Sequence, residues 1–150
     1  MKKWAALLMI GVFGVFSAYA GSDSETVMDM VNQAVDMFQA KGRDAAISYV
    51  NSTMGPLRRG ALYVFAVDFK GQMLAHPVSE DLRGRDSLEL QDAKGKFIIQ
   101  EFIKIAKEQG QGWAEYWWLR ATEKSPTLKK TYIKKVPNAD ILIGAGYYVK

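Results

Sequence analysis

The chain has 150 residues, no cysteine, and 20 basic against 16 acidic side chains, for a formal net charge of +4. The lack of cysteine excludes a disulfide scaffold, and a single histidine cannot build a multi-histidine metal site. We expect Lys2 and Lys3 to be removed with an N-terminal leader, which leaves 18 basic residues against the 16 acidic ones. This near balance disfavours nucleic acid as a partner.

The N-terminus has the layout of a secretory signal peptide. Met1-Lys2-Lys3 is a short positive region, residues 4–16 form an apolar run, and Ala18-Tyr19-Ala20 is a small-x-small cleavage site. We therefore predict a signal peptide over residues 1–20 and one periplasmic or secreted domain over residues 21–150. An uncleaved anchor helix is the alternative that the cleavage site disfavours, and no later segment approaches the roughly 20 apolar residues of a membrane span.

The apolar spacing of the remaining chain predicts three helices and five strands. Ser22-x-x-Glu25 has the spacing of a capping box at the start of a long first helix, which Gly42 ends. The other elements are expected at residues 44–51 (helix), 61–68 and 72–76 (strands), 92–109 (helix), and 112–120, 128–136 and 141–149 (strands). Two blocks of strands split by a helix indicate an α+β, PAS-like fold with a five-stranded antiparallel sheet under the long N-terminal helix.

The last third of the chain concentrates aromatic rings, hydroxyls and ammonium groups. They occur in Tyr116-Trp117-Trp118, in Lys129-Lys130-Thr131-Tyr132 and in residues 144–148. A pocket for a small anion inside an apolar body needs rings as walls, a few donors and one cation. No comparable cluster of nucleophile, base and orienting group occurs in the sequence. We therefore predict a binding protein rather than an enzyme.

Strand alternation divides these residues between two faces. Tyr116 and Trp118 share a face, whereas Trp117 points the other way. Lys129 is the candidate cation, and its neighbour Lys130 is the expected surface residue. Tyr132 shares a face with Lys129 only if a bulge intervenes.

Several motifs, in order and with spacing kept, resemble a single Cache domain of the free-standing, secreted kind. They are Tyr63-Val-Phe-Ala-Val-Asp68, Gly71, Leu74-Ala75-His76-Pro77, Gly84-x-Asp86, Asp92-Ala-Lys-Gly95-Lys96, Tyr116-x-Trp118, Lys129-x-x-Tyr132 and Ile143-Gly144-x-Gly146-x-Tyr148. The chain departs from many members at Asp140-Ile141, where they carry Gly-Trp, and at Ala145, where they carry Thr.

The resemblance implies an extracytoplasmic sensor of a small organic acid such as acetate, propionate, pyruvate or lactate. It implies a role in signal transduction or chemotaxis, with a membrane-bound sensor kinase or chemoreceptor as the partner. The expected ligand-binding residues, with no cofactor and no metal, are Tyr63, Phe65, His76, Tyr116, Trp118, Lys129 and Tyr132.

Each of these residues also has a plainer interpretation. The aromatic side chains can be core packing, both lysines can be solvated, and His76 can simply close a turn before Pro77. The rival hypothesis is a structural or protein-interaction module of the cell envelope that binds no ligand. A homodimer through the methionine-rich stripe of the N-terminal helix is a further expectation.

Overall fold

The computed structural model describes residues 22–120 and 122–150, so the expected signal peptide lies outside the described residues. The elements are α1 (Asp23–Lys41), α2 (Arg43–Asn51), β1 (Arg58–Arg59), β2 (Leu62–Asp68), β3 (Met73–Ala75), a 3-10 turn (Glu80–Leu82), α3 (Ile98–Gln109), β4 (Gln111–Trp118), β5 (Thr127–Lys135) and β6 (Ile141–Tyr148). Over these ranges no helix is both long enough and apolar enough to cross a membrane.

The long first helix begins at the expected capping box. The Ser22 side chain accepts a hydrogen bond from the Glu25 backbone N–H at 3.3 Å, and the Glu25 carboxylate accepts one from the Ser22 backbone N–H at 2.9 Å. Both contacts satisfy backbone donors that a helix start leaves free. Gly42 ends the helix with φ of +83°, a conformation that favours glycine.

The strands form one antiparallel sheet in the order β1-β2-β6-β5-β4. The short strand β3 pairs with β2 as well, at the opposite end from β1. The α+β, PAS-like prediction with an N-terminal helix on the sheet is therefore confirmed. The sheet has six strands rather than five because the two-residue strand β1 was not anticipated.

Alternating side chains of the sheet supply two separate cores. On one face, Val64 of β2 and Ile143 of β6 pack with the buried stripe of α1 and with α2. On the other face, Phe65 and Leu142 pack with the apolar side of α3. Both faces of the central strands are thus buried, and the second core contains the cavity described below.

The helix expected from Asp92 begins only at Ile98, so that boundary was wrong. The Asp92 carboxylate accepts hydrogen bonds from the backbone N–H groups of Lys94 and Lys96, each at 2.9 Å. Gly95 takes φ of +82° between them. An Asp side chain that binds the backbone two and four residues ahead holds a turn, not a helix.

Candidate functional site

A small cavity of about 30 Å³ lies between the sheet and α3. Its walls are mostly aromatic, since Phe102 of α3 stacks on Phe65 at 5.7 Å and meets Tyr116 edge-on at 5.5 Å between ring centroids. A cavity of this size has room for a few water-sized groups. The lining residues are Tyr63, Phe65, Met73, His76, Leu82, Leu90, Ile98, Ile99, Phe102, Tyr116 and Trp118.

Lys129 is a buried cation beside this cavity. Its side chain is almost fully buried, at 1% exposure, and its Nζ donates a hydrogen bond to the Tyr63 hydroxyl at 3.0 Å. The same Nζ lies 4.4 Å from the centre of the Tyr63 ring and 5.2 Å from that of Tyr148. No ion pair within residues 22–120 and 122–150 includes Lys129. Aromatic rings and a phenol therefore hold a charge that no carboxylate in this region balances.

Burial also determines the titration of Lys129. Removal from water penalises the ammonium form and lowers the pKa of Lys129, and the nearby Tyr116 phenol opposes this only in part. Burial likewise raises the pKa of Tyr63 to about 12, so that this phenol keeps its proton at neutral pH. Since the Tyr63 oxygen accepts from Lys129, its own proton is available to a further acceptor.

The strand register brings Lys129 to the cavity. On β5 it is paired with Tyr116 of β4 on one side and with Tyr148 of β6 on the other. Gly146 makes room for Thr131 and Lys129, because a Cβ atom there would overlap the Thr131 Oγ1 and would lie 2.9 Å from Lys129 Cε and 2.7 Å from the Lys130 carbonyl oxygen. Gly144 does the same for the Phe65 ring, with its Cε1 atom 2.8 Å from such a Cβ. The two glycines are thus required by close approach of neighbouring side chains.

A second buried polar pair lies next to Lys129. The Tyr116 hydroxyl and the Thr131 Oγ1 are 2.9 Å apart, and both side chains are buried. Burial raises the pKa of Tyr116, so it is a neutral phenol. When Thr131 is the donor of this bond, the Tyr116 proton is free for a ligand.

His76 is held rigidly at the end of β3. Its backbone N–H donates to Asn51 Oδ1 at 2.9 Å, and its Nδ1 accepts from the Ser79 backbone N–H at 2.9 Å. Burial, and secondarily the charges of Lys129 and Arg83, lower the pKa of His76 to about 4. The ring is therefore neutral at pH 7, and because Nδ1 is an acceptor, the proton resides on Nε2.

An open cleft of about 780 Å³ adjoins the small cavity, and Tyr63 and Trp118 line both. Arg120 lies on its wall, 4.2 Å above the Tyr148 ring, and is ion-paired with Glu123 at 3.2 Å. Tyr148, whose ring centre lies 5.2 Å from the Lys129 Nζ, also lines this cleft. Its lining residues are Arg58, Gly60, Ala61, Tyr63, Val78, Ser79, Gln91, Asp92, Ala93, Trp117, Trp118, Leu119, Arg120, Thr122, Pro126 and Tyr148.

The structure brings six of the seven expected site residues together. The cavity walls include Tyr63, Phe65, His76, Tyr116 and Trp118, and Lys129 contacts Tyr63. Tyr132 lies elsewhere: it packs in the core under α1, and its hydroxyl donates to Gln111 Oε1 at 3.0 Å. No bulge intervenes between it and Lys129, so alternation places the two side chains on opposite faces.

Trp117 and Lys130 were expected on the other face of the sheet, and the strand register places them there. The Lys94 ammonium lies 3.9 Å from the centre of the Trp117 ring, and Lys130 is ion-paired with Glu115 at 2.8 Å. In and just after the 3-10 turn that follows β3, Arg83 pairs with Glu80 at 3.5 Å. The described residues include no group of three or more His, Cys, Asp or Glu side chains that could hold a metal ion.

Thr131 and Tyr148 lie beside Lys129 but are not among the seven expected site residues. Thr131 is two residues from Lys129, so strict alternation was the signal that could have found it in place of Tyr132. The apolar walls from Leu90 and Phe102 carry no comparable signal, because apolar residues on a loop and on a helix face look like ordinary core.

The chain belongs to the Cache domain family, whose family model matches residues 21–150. Its fold is that of a Cache chemosensory domain described as recognising carboxylic acids. The two align with a TM-score of 0.70 and 21% identity, over 85% of this chain and 93% of the other.

Two relatives are a chemotaxis protein and a sensor kinase. The chain is 28% identical over 87 residues to the methyl-accepting chemotaxis protein McpP of Pseudomonas putida, and the match covers 58% of this chain and 16% of that protein. It is also 28% identical over 87 residues to the sensor histidine kinase MctS of Rhizobium johnstonii, over 58% of this chain and 19% of that protein. The chain thus spans less than a fifth of either relative and is similar to part of each.

Proposed function

We propose that this domain binds a short carboxylate outside the cytoplasm and acts as the sensory component of a signalling or chemotaxis system. The observation that carries this proposal is the buried Lys129 ammonium, which has phenol and ring partners but no acidic one in the described chain. An uncompensated buried charge is costly, and a small anion in the adjoining cavity removes that cost.

The hydrogen-bond donors around the cavity complement a carboxylate. Tyr63 accepts from Lys129 and directs its proton to the ligand, and neutral His76 offers Nε2–H. Tyr116 supplies a third donor when Thr131 donates to it. The apolar walls from Phe65, Phe102 and their neighbours then enclose a short carbon chain such as that of acetate, propionate, pyruvate or lactate.

The relatives support the signalling part of the proposal. One is a chemoreceptor, one is a sensor kinase, and a domain of the same fold is described as recognising carboxylic acids. We therefore propose a membrane-bound receptor or sensor kinase as the protein partner and a periplasmic or secreted location. We also propose a homodimer through α1, on the basis of the methionine-rich stripe of this helix in the sequence.

The test is calorimetric titration of the purified protein with acetate, propionate, pyruvate and lactate. Lys129→Gln and Lys130→Gln form a matched pair, because the two lysines are neighbours on opposite faces of β5. We expect binding to the wild type and to the Lys130 variant and at least tenfold weaker binding to the Lys129 variant. If none of the four acids binds the wild type, or both variants bind equally well, the carboxylate site is refuted.

A further inference from the structure

The outer cleft carries a cation that the proposed carboxylate site does not use. Arg58 of β1 lines this cleft and is exposed. No ion pair in the described residues includes it, whereas the other guanidinium of the cleft, Arg120, is paired with Glu123. Arg58 is therefore the cleft arginine whose charge is free to meet an anionic group.

The register fixes which way Arg58 points. It is the cross-strand partner of Tyr63, whose ring lines both the small cavity and the cleft and whose hydroxyl holds Lys129. Directly opposed residues of an antiparallel pair share a sheet face. Its neighbour Arg59 therefore faces the other way, where it is ion-paired with Asp29 of α1 at 3.3 Å.

Two cations thus flank one tyrosine. Lys129 lies at the inner end of Tyr63, beside the small cavity, and Arg58 lies along the same face toward the open cleft. Asp92, a carboxylate of the cleft wall, accepts hydrogen bonds from the backbone N–H groups of Lys94, Lys96 and Trp117 and forms no ion pair with Arg58 in the described residues. Lys129 and Arg58 therefore place one positive charge beside the cavity and one on the cleft, with Tyr63 between them.

We propose that the ligand of this domain carries a second anionic group, and that Arg58 binds it in the outer cleft while Lys129 holds the first. The chemical class is a short aliphatic dicarboxylate, with one carboxylate in the cavity and the chain passing Tyr63 and Trp118. This inference rests on the proposed carboxylate site and narrows its ligand. It gives the cleft a role in specificity.

The experiment compares acids that differ in one terminal group. Calorimetric titrations with propionate and butyrate are set against succinate and glutarate, for the wild type, Arg58→Gln and Arg59→Gln. Arg59 is a matched control, since the two arginines are adjacent and lie on opposite faces of β1. Because exposed ion pairs are weak and screened by salt, we expect about a fivefold tighter Kd for the better diacid at low ionic strength, reduced by added salt.

The outcomes distinguish the diacid preference from the carboxylate site itself. The inference predicts that Arg58→Gln removes the preference for the diacid and leaves propionate binding unchanged, and that Arg59→Gln retains the preference. Monoacids that bind as tightly as diacids to the wild type, or a preference that survives Arg58→Gln, overturn the inference and leave the carboxylate site standing. If no acid of either class binds the wild type, the carboxylate site itself is refuted.

Discussion

The Lys129 ammonium donates a hydrogen bond to the Tyr63 hydroxyl at 3.0 Å inside the domain. This contact brings side chains of β5 and β2 into one site. Both groups are polar; Lys129 is buried and Tyr63 is half-buried. A phenol is a weak substitute for a carboxylate as the partner of a buried cation. The contact therefore describes a site that is prepared for an anion.

Gly146 should be intolerant of even one added methyl group. An alanine Cβ there would meet the Lys130 carbonyl at 2.7 Å and Lys129 Cε at 2.9 Å, and the backbone carbonyl cannot move aside. We expect Gly146→Ala to lower the free energy of unfolding by about 1–3 kcal/mol and to weaken propionate binding. Urea unfolding followed by circular dichroism measures the first, and calorimetry measures the second.

Gly55→Ala is the control for that change. Its added Cβ would meet nothing closer than Ser52 at 3.5 Å, an ordinary contact. Equal stability of the two alanine variants would show that Gly146 does not hold the position of Lys129.

His76 should make the domain less stable in mild acid. Its pKa in the folded state is about 4, below the ordinary value of 6.5, so between these values the unfolded chain binds more protons. The contribution of His76 is therefore complete above about pH 6.5 and is lost as the pH falls toward 4, by about 3 kcal/mol in all. His76→Asn keeps an acceptor for the Ser79 N–H and removes the titration.

The measurement is the difference in unfolding free energy between the wild type and His76→Asn from pH 7.5 to pH 4. Carboxylates that titrate in the same range cancel in this difference. A difference that does not change with pH would show that His76 is not buried in its neutral form.

Carboxylate binding should take up protons around the pH at which Lys129 titrates in the empty site. Burial lowers the pKa of Lys129 in the empty site, and a bound anion raises it again. The groups facing Lys129 are the phenols of Tyr63, Tyr116 and Tyr148, together with neutral His76, so none of them is a competing anion at neutral pH. Affinity should therefore fall as the pH rises through the pKa of Lys129 in the empty site.

Titration of propionate in two buffers of different ionisation enthalpy measures this uptake directly. Lys129→Arg, whose guanidinium stays protonated, should bind without proton uptake. Identical heats in both buffers at every pH tested would contradict a lowered pKa for Lys129.

Asp92 should tie the loop before α3 to the sheet. Its Oδ2 accepts from the Trp117 backbone N–H at 2.9 Å, and Ala93 N–H donates to the Trp117 carbonyl at 3.1 Å. Burial alone would raise the pKa of Asp92, but its three backbone hydrogen bonds outweigh this and hold the pKa below the usual value. We expect Asp92→Ala to cost about 2–4 kcal/mol of stability at pH 7, measured by urea unfolding, because it orphans three N–H groups. An unchanged midpoint would contradict this tie.

Much of this fold could be predicted from the sequence, because its signals are local. The capping box at Ser22, the glycine after α1 and the alternation on β4 each act over a few residues. The start of α3 was missed because Asp92 has the appearance of a helix cap, while its hydrogen-bond partners include Trp117, far along the chain. The local sequence pattern does not distinguish an Asp that caps a helix from one that binds the backbone of a distant strand.

The site was partly predictable for the same reason. Alternation separates Lys129 from Lys130, and it also rejects Tyr132, which entered only through the resemblance. The partnership of Lys129 with Tyr63 depends on the strand order β2-β6-β5, which local spacing does not determine. The sequence indicates the cation, but it does not show that Lys129 lacks a carboxylate partner within residues 22–120 and 122–150.

The stability of Lys129→Met, with and without propionate, tests the central claim most directly. Because an uncompensated buried ammonium is costly, methionine should raise the free energy of unfolding of the ligand-free protein by about 1–4 kcal/mol and abolish stabilisation by propionate. Lys130→Met, on the exposed face, should leave both quantities near those of the wild type. A Lys129→Met protein that is less stable than the wild type without ligand, or that propionate stabilises as strongly, would contradict the account.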